Sequence, residues 1–181
     1  MTTATDNSRA TTSSPTLPQG VWSIDAQRSE IGFAVKGMWG LRTVRGVFAA
    51  YDGSLEVRPG GVSGLLTIDA ASLDTANVRR DRHLRSSAFF DVERHPRIVF
   101  TATGVTARGG GLTVEGELAI GSSRVRLEIP VEVKRIAGGA LRVEGRTAAS
   151  RTATGLAWNT LGMIRGDAML HARLTFESAN A

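Results

Sequence analysis

The residues most capable of chemistry are concentrated in one stretch, NVRRDRHLRSSAFFDVERHPRIVF, between positions 77 and 100. Asp81 and His83 lie two positions apart and form a candidate acid-base pair. Four arginines accompany them: Arg79, Arg80, Arg82 and Arg85. On a helix, residues three apart are neighbours, and guanidinium groups placed this way could grip a phosphate-type anion. In the open alternative they pair with Asp81, Asp91 and Glu93 and solubilise the end of a hydrophobic structure.

Other reaction classes find little support in the sequence. The histidines, His83, His95 and His171, are far apart, and none has a metal-type partner at helical spacing, so we predict no metal site. The chain has no cysteine and no Gly-x-Ser-x-Gly elbow, and Gly109-Gly110-Gly111 lacks the lysine of a phosphate loop. We therefore predict no catalytic residue and no cofactor.

Charge and length restrict the class of protein further. The 181 residues are enough for one domain with a substantial core. Lys and Arg number 22 against 17 Asp and Glu, a net charge of +5, and the isoelectric point is near 10.9. Acidic residues are spread along the chain, however, which indicates a mixed surface without a basic block. We predict no nucleic-acid partner.

The beginning of the chain differs in composition from the rest. Residues 1–19 are rich in Thr, Ser, Ala and Pro, and we predict a disordered N-terminal tail followed by a folded domain over 20–178. The first residues lack the basic start and apolar run of a secretory signal, and no stretch approaches the roughly 20 apolar residues of a membrane span. We expect a cytoplasmic protein without an integral membrane segment.

The elements that must position the charged stretch are mostly strands. In SRVRLEIPVEV (123–133), apolar and polar residues alternate with period two, the pattern of a half-buried strand. LTVEGELAI, GDAMLHARLTFES and five weaker stretches repeat it, which makes about eight strands joined by Gly-rich turns. A single helix is predicted over roughly 74–86, with Asp74 or Thr75 as N-cap and Asp81 to Arg85 as an ion pair. One short helix cannot cover eight apolar faces, so the sheet closes into a barrel or folds into a sandwich.

The inward faces contain several small residues: Gly64, Ala70, Ala102, Gly116, Gly145, Ala149 and Ala172. Small inward residues indicate either a cavity for an apolar ligand, or positions where the sheet curves and its faces pack closely. The alternation alone does not distinguish these two explanations.

Long stretches of the sequence resemble one family. The run SLDTANVRRDRHLRSSAFFDVERHPRIVF (72–100) is similar to the signature of the YceI-like family, lipocalin-like proteins associated with polyisoprenoid binding. The stretches 22–48, 114–133 and 151–177 resemble other parts of the same family. The resemblance implies an all-β, eight-stranded antiparallel lipocalin-like barrel with one short helix, an isoprenoid chain inside it and often a homodimer. Arg28 and Gly37 stand where it leads us to expect histidines.

The predicted ligand contacts combine strand faces with the charged stretch. Among candidates for the cavity wall are Phe33, Phe48, Phe100, Leu118, Leu127, Ile129 and Phe176, and Trp39 is placed at a barrel rim. Phe89 and Phe90 are adjacent, so in an extended chain at most one enters, and Phe90 is the candidate. Contacts to a polar head group are assigned to Arg80, Arg82 and His83.

The resemblance and these residues lead to one functional prediction and one alternative. The prediction is non-enzymatic binding, storage or transport of a polyprenyl phosphate or isoprenoid quinone. The alternative is an enzyme that acts on an isoprenoid or quinone with His83 and Asp81.

Overall fold

The computed structural model of the chain describes residues 17–37, 42–108, 111–150, 153–154 and 165–179. One α-helix, α1 (Val78–Arg85), and short 3-10 turns accompany the strands of this part. The strands are β1 (Gly20–Ile24), β2 (Glu30–Gly37), β3 (Arg42–Phe48), β4 (Tyr51–Arg58), β5 (Gly61–Asp69), β6 (Leu73–Asp74), β7 (Arg97–Arg108), β8 (Gly111–Ile120), β9 (Ser123–Arg135), β10 (Leu141–Ala149) and β11 (Arg165–Ser178).

Eight of these strands form a closed antiparallel barrel. Their order around the ring is β1-β4-β5-β7-β8-β9-β10-β11, and β1 pairs back onto β11 with Trp22 opposite Ser178. This closure excludes the sandwich and confirms the predicted barrel. The remaining strands, β2, β3 and β6, continue the sheet from the first part of β11, where Ala172 lies opposite Ile31.

Alternation along the strands decides which residues face inward. In β9, Leu127 is buried while Arg126 and Glu128 on either side are exposed, as the sequence predicted. Outward charges form ion pairs between strands, such as Arg108 Nη1 to Glu128 Oε2 at 2.8 Å and Arg173 Nε to Glu144 Oε1 at 3.2 Å. The exposed pairs keep the outer surface mixed in charge and add little stability.

Alternation alone did not predict β1 and β4. β4 begins YDGS, and Asp, Gly and Ser are depleted in strands, so propensity hides its pattern. Pairing on both sides makes it a strand: Leu55 lies opposite Trp22 of β1 and Gly64 of β5. The element depends on its neighbours more than on its own composition.

The helix begins later than predicted, and its cap is a different residue. Asn77 is the N-cap, and its side chain accepts a hydrogen bond from Arg80 N at 3.0 Å. Asp74 instead stabilises a turn, in which its side chain accepts a hydrogen bond from Ala76 N at 2.7 Å. The predicted Asp81 to Arg85 pair is also wrong, because Asp81 accepts from Thr75 and Arg85 Nη2 donates to Leu73 O.

Two hydrophobic clusters occupy the ends of the barrel. The first, termed the helix end, includes Phe48, Leu73 and Phe90. The second, termed the Trp22 end, has the buried residues Trp22, Val57, Leu141 and Phe176, with Leu17 packed against them. Most of the predicted N-terminal tail lies outside the described residues. The described part of the chain contains no helix long and apolar enough to cross a bilayer.

Candidate functional site

A cavity of about 410 Å³ lies inside the barrel and reaches both clusters. Phe48 and Phe90 border it at the helix end and Phe176 at the Trp22 end. The inward faces of the barrel strands supply most of its wall, with very few polar side chains. Such a wall offers an apolar chain a dry surface and few hydrogen bonds, so shape decides what fits.

The structure brings most of the predicted ligand contacts to this one wall. Ten of them line it: Phe33, Phe48, Phe90, Phe100, Leu118, Leu127, Ile129, Phe176, Arg80 and His83. Arg82 does not line the cavity, and its side chain is exposed on α1. Trp39 lies outside the described residues. The sequence did not single out Leu84 and Phe89 as wall residues, although both border the cavity.

The small inward residues have two different roles. A Cβ added to Gly116 would lie 2.5 Å from the ring of Phe100, and one added to Gly46, which was not among the small residues predicted to face inward, would lie 2.6 Å from the ring of Phe33. These two glycines make room for aromatic neighbours. Others border the open space itself: Gly64, Ala102 and Ala172. Both explanations left open by the sequence therefore apply, at different positions.

Both phenylalanines of the adjacent pair turn toward the cavity, which corrects the expectation that at most one enters. The segment after α1 is a turn and not an extended strand, with Phe89 N bonded to Ser86 O and Phe90 N to Leu84 O, each at 3.0 Å. Their ring centroids are 5.1 Å apart, and the ring of Phe90 meets Phe48 edge-on at 6.3 Å. The turn and α1 together cover the helix end of the cavity.

A hydrogen-bond network around Thr75 fixes the orientation of Arg80. Arg80 Nε donates to Thr75 Oγ1 and Arg80 Nη2 to Thr75 O, both at 2.7 Å. Asp81 is buried and accepts from Thr75 N at 3.0 Å and from Thr75 Oγ1. Asp81 thus fixes Thr75, and Thr75 in turn fixes the guanidinium group of Arg80. The sequence did not reveal this positioning role of Asp81.

The candidate acid-base pair is not assembled at the cavity. His83 borders the cavity and packs near Phe89, with ring centroids 6.5 Å apart. Asp81 does not border it, since residues two apart on a helix point in different directions. Among the residues that the structure describes, no three His, Asp or Glu side chains are grouped to hold a metal ion.

Arg28, one of the two positions where the resemblance suggested histidine, is remote from the cavity wall. Its side chain is exposed and pairs with Asp25 at 3.4 Å and with Glu177 at 3.1 Å. The substitution therefore leaves the described wall unchanged. Gly37, the other of these positions, is the last residue of β2 and has no side chain that could contact a ligand.

A closed eight-stranded antiparallel barrel with an apolar interior, covered at one end in the described residues by the short helix α1, defines the lipocalin-like class of barrel. Within that class, a family model described as the YceI-like domain matches residues 22–176. The chain belongs to the YceI-like family.

Relatives of known sequence support this membership. The chain is 37% identical to a UPF0312 protein of Photorhabdus laumondii over 100 residues, which are 54% of this chain and 52% of the relative. It is 30% identical to protein YceI of Escherichia coli O157:H7 over 118 residues, 64% of this chain and 60% of the relative. The chain thus spans about half to three fifths of the length of these relatives.

Solved structures share the fold at lower identity. BcnA of Burkholderia cenocepacia superposes with a TM-score of 0.76 at 20% identity, covering 84% of this chain and 98% of BcnA. A polyisoprenoid binding domain from Saccharophagus degradans gives 0.70 at 16% identity, covering 87% and 98%. The Campylobacter jejuni YceI protein gives 0.64 at 21% identity, covering 76% and 87%. At these identities the likeness is one of fold.

Proposed function

We propose that this protein binds a long, apolar, isoprenoid-like ligand in the barrel and stores or transports it without changing it chemically. The observation that carries the proposal is the cavity of about 410 Å³ with an almost wholly apolar wall. That volume falls within the roughly 300–1,000 Å³ typical of ligand pockets. Ten of the predicted contact residues, from Phe33 to Phe176, border it.

Hydrophobic burial alone is sufficient for useful affinity. About fifteen buried carbons contribute roughly 12 kcal/mol at about 0.8 kcal/mol each. After an association cost of at least about 4 kcal/mol, roughly 8 kcal/mol remains, which corresponds to a micromolar dissociation constant. A ligand of this length needs no specific hydrogen bond to the wall.

The isoprenoid class is supported by a structural neighbour. The Saccharophagus degradans domain, described as polyisoprenoid binding, shares this fold. At the helix end, Arg80 and His83 border the cavity and would meet the polar end of a ligand, either a polyprenyl phosphate or an isoprenoid quinone. Arg82 would reach such a group only outside the cavity, and Trp39 stays a predicted rim residue.

Lipid analysis of the purified protein tests the proposal directly. We expect organic extraction or native mass spectrometry to release an apolar molecule, and the emptied protein to take up added polyprenol. Ala172→Phe should reduce uptake at least about tenfold, because its ring enters the cavity. Met169→Phe is the control, since Met169 on the same strand is 46% exposed and does not border the cavity. An interior that yields and takes up no lipid would refute the proposal.

The alternative, an enzyme that uses His83 and Asp81, finds no support in the geometry of the two side chains. Asp81 is buried against Thr75, and only His83 borders the cavity. We expect a bound prenyl lipid to be recovered unchanged after prolonged incubation. Conversion that is lost in both His83→Ala and Asp81→Asn would favour the enzyme.

We also propose a homodimer in the cytoplasm. The dimer is what the resemblance to the YceI-like family implies. Sedimentation velocity would detect the dimer, and fractionation of cells would test the location.

A further inference from the structure

A second concavity lies on the outer flank of the barrel, between β3 and the segment that leads into α1. We term it the arginine groove. It has a volume of about 600 Å³, and its charged residues are Arg42, Arg45, Arg80 and Asp74. β6 pairs only with Val47 and Phe48 of β3, so over 42–46 the described part of the chain places no strand on this side of β3. The missing strand pairing leaves the groove open.

The charges around the groove are unbalanced. Three arginines and one carboxylate border the groove, and that carboxylate, Asp74, already accepts a hydrogen bond from Ala76 N at 2.7 Å. A second carboxylate, Asp81, is buried and reaches Arg80 only through Thr75. Arg42 and Arg45 are exposed, and within the described residues their side chains form no ion pair or hydrogen bond. The groove therefore has cationic donors available for an incoming anion.

Arg80 is prepared for such a contact. Two of its donors are bonded to Thr75 at 2.7 Å, which fixes the plane of the guanidinium, and its other N–H groups are not used by Thr75. A guanidinium that is already oriented loses less entropy when it binds, and its flat fork matches the oxygens of a phosphate.

The groove and the barrel cavity share part of their walls. Arg80 and Val44 border both. A ligand whose chain occupies the apolar interior can therefore place its polar end beside Arg80, at the border between the interior and the groove. At the border between the two, the lining changes from the apolar strand faces of the cavity to the arginines of the groove.

From this geometry we infer that the arginine groove binds an anionic phosphate or diphosphate head group, so that the ligand of the barrel is a prenyl phosphate. This inference rests on the proposed function. A quinone ring carries no charge to match three guanidinium groups, whereas a phosphate forms charge-assisted hydrogen bonds that are about twice as strong as neutral ones.

Calorimetric titration with paired ligands tests the inference. We expect wild-type protein at low salt to bind farnesyl phosphate about tenfold or more tightly than farnesol, and added salt to reduce this preference. The Arg42→Gln/Arg45→Gln variant should weaken farnesyl phosphate about tenfold and leave farnesol unchanged. Arg126→Gln/Arg135→Gln is the control, since it removes the same charge from exposed side chains that border neither the groove nor the cavity.

The possible outcomes separate the two proposals. Equal binding of both ligands, independent of salt and of the groove arginines, would overturn the head-group inference and leave the barrel function standing. Binding of neither ligand would overturn both. Inorganic phosphate or pyrophosphate alone, titrated in parallel, should bind far more weakly than farnesyl phosphate. If inorganic phosphate or pyrophosphate bound as tightly as farnesyl phosphate, the groove would be a site for a free anion, and its role in lipid recognition would be overturned.

Discussion

At the scale of single residues, Gly116 shows how closely the interior is packed beside the cavity. The ring of Phe100 occupies the space that a side chain at Gly116 would need. A Cβ added there would also lie 2.5 Å from the backbone oxygen of Thr101. The oxygen belongs to the paired strand β7 and cannot move without disturbing the ladder. Any side chain at this position therefore requires the ring or the strand to shift.

We predict that Gly116→Ala lowers the free energy of unfolding by about 1–3 kcal/mol, because the ring and the strand must shift. Gly104→Ala is the matched control, since no atom lies within 4 Å of a Cβ added there. It should change stability by less than about 0.5 kcal/mol or raise it slightly. Urea unfolding of both variants measures the difference, and an equal effect at the two sites would contradict the packing argument.

Tyr51 offers a prediction about pH. Burial raises the pKa of the Tyr51 hydroxyl above 10.0, and the negative charges of Glu30 and Asp25 raise the pKa further. The folded state therefore favours the neutral phenol. Its contribution to stability is complete below about pH 10 and is lost as the pH rises through the higher folded pKa.

Because Tyr51 is the only tyrosine, the absorbance of its phenolate can be followed without interference from other tyrosines. We expect the titration midpoint to lie above pH 10 in the folded protein and to return to about 10 in guanidinium chloride. The wild-type protein should lose stability at alkaline pH partly because Tyr51 ionises. The Tyr51→Phe variant should lack that part of the loss. A folded midpoint at or below 10 would contradict the assignment.

At the scale of elements, α1 is short, and its first turn depends on its cap. An isolated helix of eight residues is not stable in water, so capping and packing maintain it. Asn77 supplies the cap through its hydrogen bond from Arg80 N. Loss of the cap would loosen the element that covers the cavity and carries Arg80.

We predict that Asn77→Ala destabilises the protein by about 1 kcal/mol and that Asn77→Asp restores most of the loss, because Asp also caps helices well. Hydrogen exchange should show faster exchange in 78–85 for the alanine variant while the strands of the barrel stay protected. Unchanged exchange in α1 would show that packing of the turn with Phe89 and Phe90 is sufficient without the cap.

The elements also show where sequence patterns succeed and fail. Strands such as β9 were predictable, because alternation over many residues repeats the same inward and outward signal. β4 was not predicted, because its strand state comes from pairing with β1 and β5. The helix was predicted, but its boundary was not, because Asp74, Thr75 and Asn77 are all good caps and only tertiary contacts assign their bonds.

At the scale of the whole molecule, closure joins the two ends of the described chain. β1 and β11 pair directly, and Trp22 and Phe176 pack in one cluster. Contacts so distant in sequence form only when most of the barrel is in place, which favours cooperative folding.

We predict that Phe176→Ala costs about 3–5 kcal/mol, since it opens a void at the Trp22 end. Met169→Ala, on the exposed face of the same strand, should cost less than about 0.5 kcal/mol. Circular dichroism and tryptophan fluorescence should report one coincident unfolding transition in the wild type. Two separate transitions would show that the ends of the barrel unfold independently.

The sequence by itself determined the class of fold, since period-two alternation with a single short helix leaves the strand faces only one another to cover. It also determined which aromatic and aliphatic side chains face inward on strongly alternating strands such as β9, because strand geometry fixes their direction. Only the tertiary structure decided the size of the cavity and the contact of both Phe89 and Phe90 with it. It also decided the hydrogen bonds that join Arg80, Thr75 and Asp81, and it placed Arg42 and Arg45 in the same groove as Arg80. Those features depend on distances between segments remote in sequence, which local patterns do not encode.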